Sequence, residues 1–114
     1  MSPRSAGAGL SRAGPVFAAL GDEKRLAIVA RLCAEGPQSI ARLTEVSDVT
    51  RQAITKHLDV LAGAGLVRDM RRGRERIWEL EPKRLDEASR WLHQISKRWD
   101  EALERLKRFV EEAG

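Results

Sequence analysis

The stretch TRQAITKHLDVLAGAGLV, residues 50–67, has the pattern of a short helix with two unlike faces. Its apolar residues Ile54, Leu58 and Leu61 follow one another at steps of four and three, which is the spacing of a single helical face. We therefore predict a helix over about residues 50–64, with Thr50 as its N-cap and Gly65 as its stop. Polar side chains share another face in the first two turns: Arg51, Gln52, Thr55 and Lys56.

The segments around this helix predict an ordered set of elements. Helical patterns precede it at residues 15–20, 23–35 and 39–46, and a short turn separates the last of these from the helix at 50–64. Residues 66–80 alternate between β-favouring and polar side chains about a central glycine, which indicates a β-hairpin. Two helices joined by a tight turn and followed by a basic hairpin make a winged helix-turn-helix, so the predicted fold is mainly α with a small β-hairpin wing.

A long helix is predicted over residues 82–112, beginning at Pro82, a residue that suits the first helical position. Its apolar residues recur at alternating steps of three and four over about four heptads. Such a helix measures roughly 45 Å, whereas a domain of this size measures roughly 26–28 Å across. The chain cannot cover the whole helix, so we expect a second copy to pack against it.

The bulk composition fits one globular domain of 114 residues, with 42% apolar and 33% charged residues. No apolar run approaches the ~20 residues of a membrane helix. The net charge of +4 is concentrated in residues 49–80. This segment has seven basic residues (Arg51, Lys56, Arg68, Arg71, Arg72, Arg74 and Arg76) against four acidic ones (Asp59, Asp69, Glu75 and Glu79). A concentrated basic patch is typical of proteins that bind a polyanion.

The polar face of the 50–64 helix fits the major groove of double-stranded DNA, which admits one α-helix. Recognition helices contact base edges with their N-terminal residues. Arg51 can bind guanine O6 and N7 with two hydrogen bonds, and Gln52 can pair with adenine. Thr55 and Lys56 can reach phosphates or base edges, and Thr50 begins the helix at the end that favours a phosphate.

The hairpin is expected to add DNA contacts of its own. Arginine side chains commonly lie on phosphates or in the minor groove, and Arg71, Arg72 and Arg74 are the predicted contacts, with the last two nearest the tip. Arg68 and Arg76 are expected to be structural, paired with Asp69 or Glu79.

Three stretches of the chain resemble the ArsR family of bacterial repressors: ALGDEKRLAIVARL, VTRQAITKHLDVLAGAGLVRDMRRGRERIWEL and the helix from Pro82. The resemblance covers about residues 15–112. It implies a homodimer built from the first and last helices, operator binding through the fourth helix and the wing, and usually release by a small-molecule inducer. Asp48 stands where the family often has glycine. Because Asp tolerates the left-handed conformation, we expect the turn to survive.

The expected dimer interface combines residues of the first helix with the apolar residues of the last one. Trp91 and Trp99, eight residues apart on the last helix, are expected to lie in the dimer core. A sharper hypothesis is that these indoles line a small-molecule pocket at the interface. The predicted interface residues are Val16, Phe17, Leu20, Leu92, Ile95, Trp99, Leu103 and Leu106.

Metal and cofactor sites are not expected. Metal-sensing members of the family use clustered ligands, yet the segment ARLTEV has no cysteine, and Asp86 and His93 lack the partners of a closed tetrahedral site. Cys33, the one cysteine, lies on an apolar helix face and is predicted to be a core residue. Neither a nucleophile with its base nor a phosphate-binding glycine loop is recognisable, so we do not expect an enzyme.

The domain organisation is predicted as a flexible N-terminal tail at residues 1–14 and a winged helix-turn-helix domain at 15–114. The tail lacks the apolar segment of a secretory signal, and a single cysteine suits a reducing compartment, so we expect a cytoplasmic protein. The leading hypothesis is a homodimeric, sequence-specific repressor of its own or a neighbouring operon. The alternatives are a protein-interaction module that acts through the long helix, and a non-specific nucleoid protein with steep salt dependence.

Overall fold

The computed structural model describes residues 3–113, with side-chain surroundings from residue 12 onward. It contains five helices and a three-stranded antiparallel sheet in which the strand order is first, third, second. The elements are α1 (Pro3–Leu20), α2 (Glu23–Glu35), β1 (Gln38–Ser39), α3 (Ile40–Glu45), α4 (Arg51–Gly63), β2 (Val67–Arg72), β3 (Glu75–Leu80) and α5 (Pro82–Ala113). The predicted winged helix-turn-helix, with a long C-terminal helix, is confirmed.

The N-caps fix where three helices begin. The Asp22 carboxylate accepts the backbone N–H groups of Lys24 and Arg25 at the start of α2. Ser39 and Thr50 each accept one backbone N–H, from Arg42 in α3 and from Ala53 in α4. Each cap satisfies amides that have no partner inside the helix. The Thr50 cap confirms the N-cap that the sequence predicts for α4.

Gly65 ends α4, as predicted. Its φ is 77°, in the left-handed region where glycine carries no steric penalty. The Gly65 N–H donates to Ala62 O at 3.0 Å, and the Leu66 N–H donates to Leu61 O at 3.0 Å. This pair of bonds is a Schellman motif, which satisfies the last carbonyls of the helix. A side chain at position 65 would also collide with Arg84, whose Cγ lies 2.9 Å from the place of a Cβ.

The hairpin of β2 and β3 turns at Gly73, where φ is 66°. The pairing of Arg72 with Glu75 leaves a two-residue loop, and only its first residue has positive φ, which is the type II′ pattern. The sheet also has a strand that the sequence did not predict. Strand β1 is only two residues long and pairs with β3 at Trp78 and Ile77, so it has too few residues to show a periodicity.

The core lies between the helices and one face of the hairpin. Ile54, Leu58 and Leu61 of α4 are completely or almost completely buried, which confirms the predicted inner face. The largest fully buried side chain is Trp78 of β3, so the wing is anchored directly to the core. The buried cluster comprises Val16, Ala19, Ile28, Val29, Leu32, Ile40, Leu43, Ile54, Leu58, Leu61, Leu66, Val67, Trp78 and Ala88.

The spacing in the α2 segment predicts one inner face made of Leu26, Val29, Leu32 and Cys33, and this prediction is partly wrong. Leu26 is 51% exposed, and Cys33 is exposed rather than a core residue. The buried residues of α2 are Ile28, Val29 and Leu32, so the helix is rotated relative to the expected face. The apolar residues of α2 lie on more than one side of the helix, so their spacing does not determine which side is buried.

Helix α1 begins at Pro3, whereas the sequence predicts a helix only from Pro15. Proline suits a first helical position because the N–H that it lacks would have no partner inside the helix. Ala13 is buried, and α1 packs against α5. The flexibility expected of residues 1–14 stays a prediction. Residues 1 and 2 lie outside the described residues.

Helix α5 starts at Pro82, as predicted, and its 32 residues correspond to about 48 Å. The molecule measures 68 × 30 × 20 Å, so the helix extends well beyond the rest of the domain. Ala88 is the only residue of α5 that is buried. The large apolar side chains that remain exposed along it form what we call the α5 stripe: Leu92, Ile95, Trp99, Leu103, Leu106, Phe109 and Val110. Within residues 3–113, no helix combines the length and apolar character needed to cross a bilayer.

Several carboxyl groups have a lowered pKa because they accept hydrogen bonds in the folded chain. A carboxyl group whose pKa is lower in the folded chain than in the unfolded chain binds protons more readily in the unfolded chain. It therefore makes its full contribution to folding stability at pH values above its ordinary pKa, which is 3.8 for Asp and 4.5 for Glu. That contribution is lost as the pH falls through the folded value. The groups are Asp22, bonded to the Arg25 and Lys24 amides; Asp48, bonded to Lys24; Asp69, bonded to Arg76; and Glu87, bonded to Arg84.

We therefore expect the melting temperature to be nearly constant from pH 7 to about pH 5.5 and to fall below about pH 4.5. Thermal melts followed by circular dichroism would measure it. The Asp22→Asn variant keeps a capping oxygen but cannot titrate, so its melting temperature should fall less. An identical fall in the variant would show that the Asp22 cap contributes nothing to the acid sensitivity.

Candidate DNA-binding surface

Helix α4 is held in the domain by one face and exposes the other. Ile54, Leu58 and Leu61 pack into the core, while Arg51, Gln52 and Lys56 are exposed. Helix α3 packs against α4 across the tight turn, which is the arrangement in which one helix supports a recognition helix. The apolar spacing of the sequence thus determines which polar residues face outward.

The structure brings four of the predicted contact residues together. Arg51, Gln52, Thr55 and Lys56 border one shallow depression on the outer side of α4. No ion pair or side-chain hydrogen bond connects Arg51, Gln52 or Lys56 to the described part of the chain. Two cations and one amide are therefore available to a ligand outside the protein. Their arrangement suits base edges and phosphates.

The two threonines are more constrained than the sequence suggests. Thr50 Oγ1 accepts the Ala53 N–H at 3.1 Å as the N-cap, which leaves its hydroxyl proton available to an acceptor. Thr55 Oγ1 donates to the Arg51 carbonyl at 2.9 Å. Since that bond uses the hydroxyl proton, Thr55 retains only its acceptor lone pair and its methyl group for contact with DNA.

Two wing arginines are held by carboxylates, as predicted. Arg68 donates from Nε to Glu79 at 2.7 Å and from a terminal nitrogen to Glu81 at 2.9 Å. Arg76 donates to Asp69 at 2.6 Å, and its guanidinium lies 5.2 Å from the centre of the Trp78 ring. These pairs have two electrostatic consequences: the hydrogen bond to Glu79 raises the pKa of Arg68, and the hydrogen bond from Arg76 lowers the pKa of Asp69.

The remaining arginines of the wing are unpaired. Arg71, Arg72 and Arg74 are exposed, and no ion pair or hydrogen bond of their side chains is found within the described residues. Arg72 and Arg74 flank Gly73 at the tip of the hairpin. Because Glu79 and Glu81 neutralise Arg68 and Asp69 neutralises Arg76, the unpaired cations of the wing are Arg71, Arg72 and Arg74, toward the end of the hairpin where Glu75 also lies.

The turn before α4 differs from the expectation for Asp48. Within the described chain no residue other than glycine has a positive φ, so Asp48 does not take the left-handed conformation that we anticipated. Instead its carboxylate accepts two hydrogen bonds from Lys24 Nζ of α2, at 2.7 and 2.9 Å. No pattern in the sequence indicates this contact, because its partners lie 24 positions apart.

The expected interface residues occupy two different environments. Val16 is 1% exposed and therefore belongs to the core of its own chain, which corrects its assignment to the interface. It belongs to the same buried cluster as Ile54 and Leu58 of α4. Phe17 and Leu20 pack partly against the core. Leu92, Ile95, Trp99, Leu103 and Leu106 are exposed along α5.

The two indoles of α5 have different surroundings within one chain. Trp91 is half-buried and packs against Phe17, with ring centroids 5.6 Å apart. Trp99 lies two turns further along and is 64% exposed. A pocket that both indoles line would need a second chain, so it stays a prediction. A separate groove of about 350 Å³ lies between α2 and the α3–α4 turn, with Ile28, Leu43 and Ile54 in its lining.

Metal-ligating residues are not clustered in the part of the chain that the structure describes: no group of three or more His, Cys, Asp or Glu side chains comes together there. The four side chains His93, Ser96, Lys97 and Asp100 border a shallow depression on one side of α5.

Comparisons with known proteins agree with this geometry. A family model described as a helix-turn-helix domain matches residues 20–69. The arsenical resistance operon repressor of Bacillus subtilis (strain 168) is 33% identical over 70 residues, which are 61% of this chain and 67% of the repressor. The HTH-type transcriptional regulator Rv2034 of Mycobacterium tuberculosis is 44% identical over 64 residues, which are 56% of this chain and 59% of that protein.

A solved structure extends the likeness to most of the chain. The ArsR-like transcriptional regulator from Rhodococcus sp. RHA1 shares 36% sequence identity with a TM-score of 0.75, and the match covers 87% of this chain and 92% of that one. The match therefore covers much more of the chain than the helix-turn-helix segment at residues 20–69. The chain belongs to the ArsR-like family of winged helix-turn-helix, DNA-binding transcriptional regulators.

Proposed function

We propose that this regulator is a homodimeric repressor of its own or a neighbouring operon, acting in the cytoplasm. The observation that carries the proposal is the outer face of α4, where Arg51, Gln52 and Lys56 are exposed and unpaired on a helix held firmly by the core. Repression as the outcome of DNA binding is supported by likeness to a relative described as an operon repressor.

The DNA-binding step follows from the placement of α4 and the wing. Helix α4 enters the major groove with its N-terminal turns, so that Arg51 and Gln52 meet base edges. Thr50, Thr55 and Lys56 border the phosphates. Arg71, Arg72 and Arg74 of the wing reach the adjacent backbone or minor groove. Helix α4 supplies sequence preference, and the wing supplies mainly affinity.

Dimerisation is supported by the exposed α5 stripe. Its seven large apolar side chains are between 41% and 69% exposed in one chain, and contiguous apolar surface of this kind is uncommon on a monomer. A second copy is the simplest partner, because a twofold axis lets the same stripe cover itself. Residues 81–114 carry eight basic and eight acidic side chains, so no net charge opposes the association of two copies.

A dimer predicts the shape of the operator. Twofold-related helix-turn-helix units contact half-sites whose centres are about one helical turn, or a multiple of it, apart. A DNase I footprint on DNA upstream of the protein's own gene tests this. We expect one protected segment with two inverted half-sites, and reduced transcription from that promoter in vitro. A footprint with no symmetry, or protection that raises transcription, would contradict the proposed dimeric repressor.

The wing arginines give a prediction of their own. Arg72→Ala and Arg74→Ala should each lower the affinity for operator and for random DNA by a similar factor, because phosphate contacts carry little sequence information. Each should also reduce the slope of log K against log salt by about 1.8, because the dimer loses one phosphate contact, of about 0.9, in each chain. Fluorescence-anisotropy titrations at several salt concentrations measure both quantities.

Arg68→Ala is the matched control for these variants. Its guanidinium is already bound to Glu79 and Glu81, so its removal should leave the salt slope unchanged. A slope that falls for Arg68→Ala but not for Arg72→Ala or Arg74→Ala would mean that the base of the wing, rather than its tip, contacts DNA.

The inducer that the family resemblance implies stays a prediction. No buried, unpaired charge that would select a ligand lies beside the indoles of α5 or in the groove between α2 and the α3–α4 turn.

A further inference from the structure

An acidic side chain lies beside the N-terminus of the recognition helix. Asp48 stands two residues before the N-cap Thr50, and its side chain is 77% exposed. In a DNA complex this end of α4 faces the phosphate backbone, because helix N-termini favour anions. An unpaired carboxylate here would repel the phosphates that the helix end attracts.

Lys24 of α2 neutralises this carboxylate. Its Nζ donates to both carboxylate oxygens of Asp48, at 2.7 and 2.9 Å, which pulls the carboxylate toward α2. The hydrogen bond raises the pKa of Lys24 and lowers the pKa of Asp48, so both groups keep their charges. With two of the three ammonium protons used, Lys24 is committed to Asp48 in the free protein.

A contribution to folding stability does not explain the ion pair between Lys24 and Asp48. The Lys24 side chain is 44% exposed and that of Asp48 is 77% exposed, and exposed ion pairs contribute little to folding stability. The position of α4 is already determined by the burial of Ile54, Leu58 and Leu61. The main effect of the ion pair is to determine where the negative charge of Asp48 lies.

We propose that Lys24 is a positioning residue for DNA binding, which acts through Asp48 and makes no contact with DNA. By holding the Asp48 carboxylate against α2, it keeps the approach to the N-terminus of α4 free of negative charge. This inference rests on the proposed function, since it presupposes that α4 enters the DNA groove.

A double-mutant cycle at positions 24 and 48 tests the inference. Lys24→Ala should weaken operator binding about 3- to 10-fold at low salt, because the Asp48 carboxylate then lies near the phosphates without the ammonium group that neutralises it. Asp48→Asn should bind at least as tightly as wild type. The double variant should recover to within about twofold of wild type, because the charge that Lys24 neutralises is gone.

The salt dependence separates this role from direct contact with a phosphate. If Lys24 bound a phosphate itself, the double variant would keep the full loss, and its salt slope would fall by about 1.8 relative to Asp48→Asn, which is about 0.9 for each chain of the dimer. That result would overturn the inference, as would unchanged binding by Lys24→Ala. Lys97→Ala removes the same side chain from the polar side of α5 and is the control for net charge.

Two further measurements keep the outcomes distinct. Circular dichroism melts should give all variants nearly the same melting temperature, and a large fall for Lys24→Ala would show that the pair holds the fold, against the inference. Wild-type protein that fails to prefer its operator would refute the proposed function. If the wild-type protein prefers its operator and the Lys24→Ala variant binds that operator equally tightly, the inference about Lys24 is refuted and the proposed function stands.

Discussion

Trp99→Glu is expected to convert the dimer into a monomer. Trp99 is the central large side chain of the α5 stripe and is 64% exposed in one chain, so it is available to a second copy. The substitution places an unpaired carboxylate in an apolar interface and, by symmetry, does so in both chains. Burial of one such charge costs several kcal/mol, so the dimer dissociation constant should rise by about two orders of magnitude or more.

Sedimentation velocity measures this change directly, and operator affinity should fall with it, because a monomer contacts one half-site. Gln94→Glu is the matched control. It adds the same charge at an exposed position on the polar side of α5 and should leave the dimer intact. If Trp99→Glu sediments as wild type does, Trp99 is not part of an interface between copies.

Arg51→Ala is expected to reduce operator affinity and to relax the preference at one base pair in each half-site. A guanidinium that binds guanine with two hydrogen bonds contributes about 1–3 kcal/mol of discrimination, which corresponds to roughly 5- to 150-fold in the dissociation constant. Arg51 is suited to this because it is exposed, unpaired and in the first turn of α4. Binding to random DNA should change much less.

Competition titrations against operators changed at one base pair at a time measure this loss. Arg90→Ala removes an exposed arginine from α5 and serves as the control for net charge. Equal losses on operator and random DNA would show that Arg51 holds a phosphate and reads no base.

The sequence is informative wherever a local signal and the tertiary packing agree. Helix α4 was predictable because Thr50, the spacing of Ile54 and Leu58, and Gly65 all indicate the same element. The wing was predictable from its central glycine and β-favouring flanks. The resulting order of elements indicates the fold class, which the structure confirms.

The failures occur where packing decides between local alternatives. Cys33 and Leu26 are exposed because α2 has more apolar residues than its buried face can use. Helix α1 extends to Pro3 although the glycines of the segment disfavour a helix locally, and it packs against α5. The two residues of β1 acquire strand geometry only through pairing with β3.

The candidate site shows the same division. That Arg51, Gln52 and Lys56 share an outer face follows from helical spacing alone. The pairing of Arg68 and Arg76 could be anticipated because their partners lie on the same hairpin. The bond between Lys24 and Asp48 joins α2 to a distant turn, and a single sequence shows no periodicity or motif for such a contact.

The most direct test of the central claim is a fluorescence-anisotropy titration of labelled DNA from upstream of the protein's own gene. A shuffled duplex of the same composition is titrated beside it at two salt concentrations. We predict that the dimer binds the native sequence at least about 10³-fold more tightly, in the range of specific regulators. Equal binding to both duplexes, or binding to neither, would contradict sequence-specific recognition of this DNA by α4.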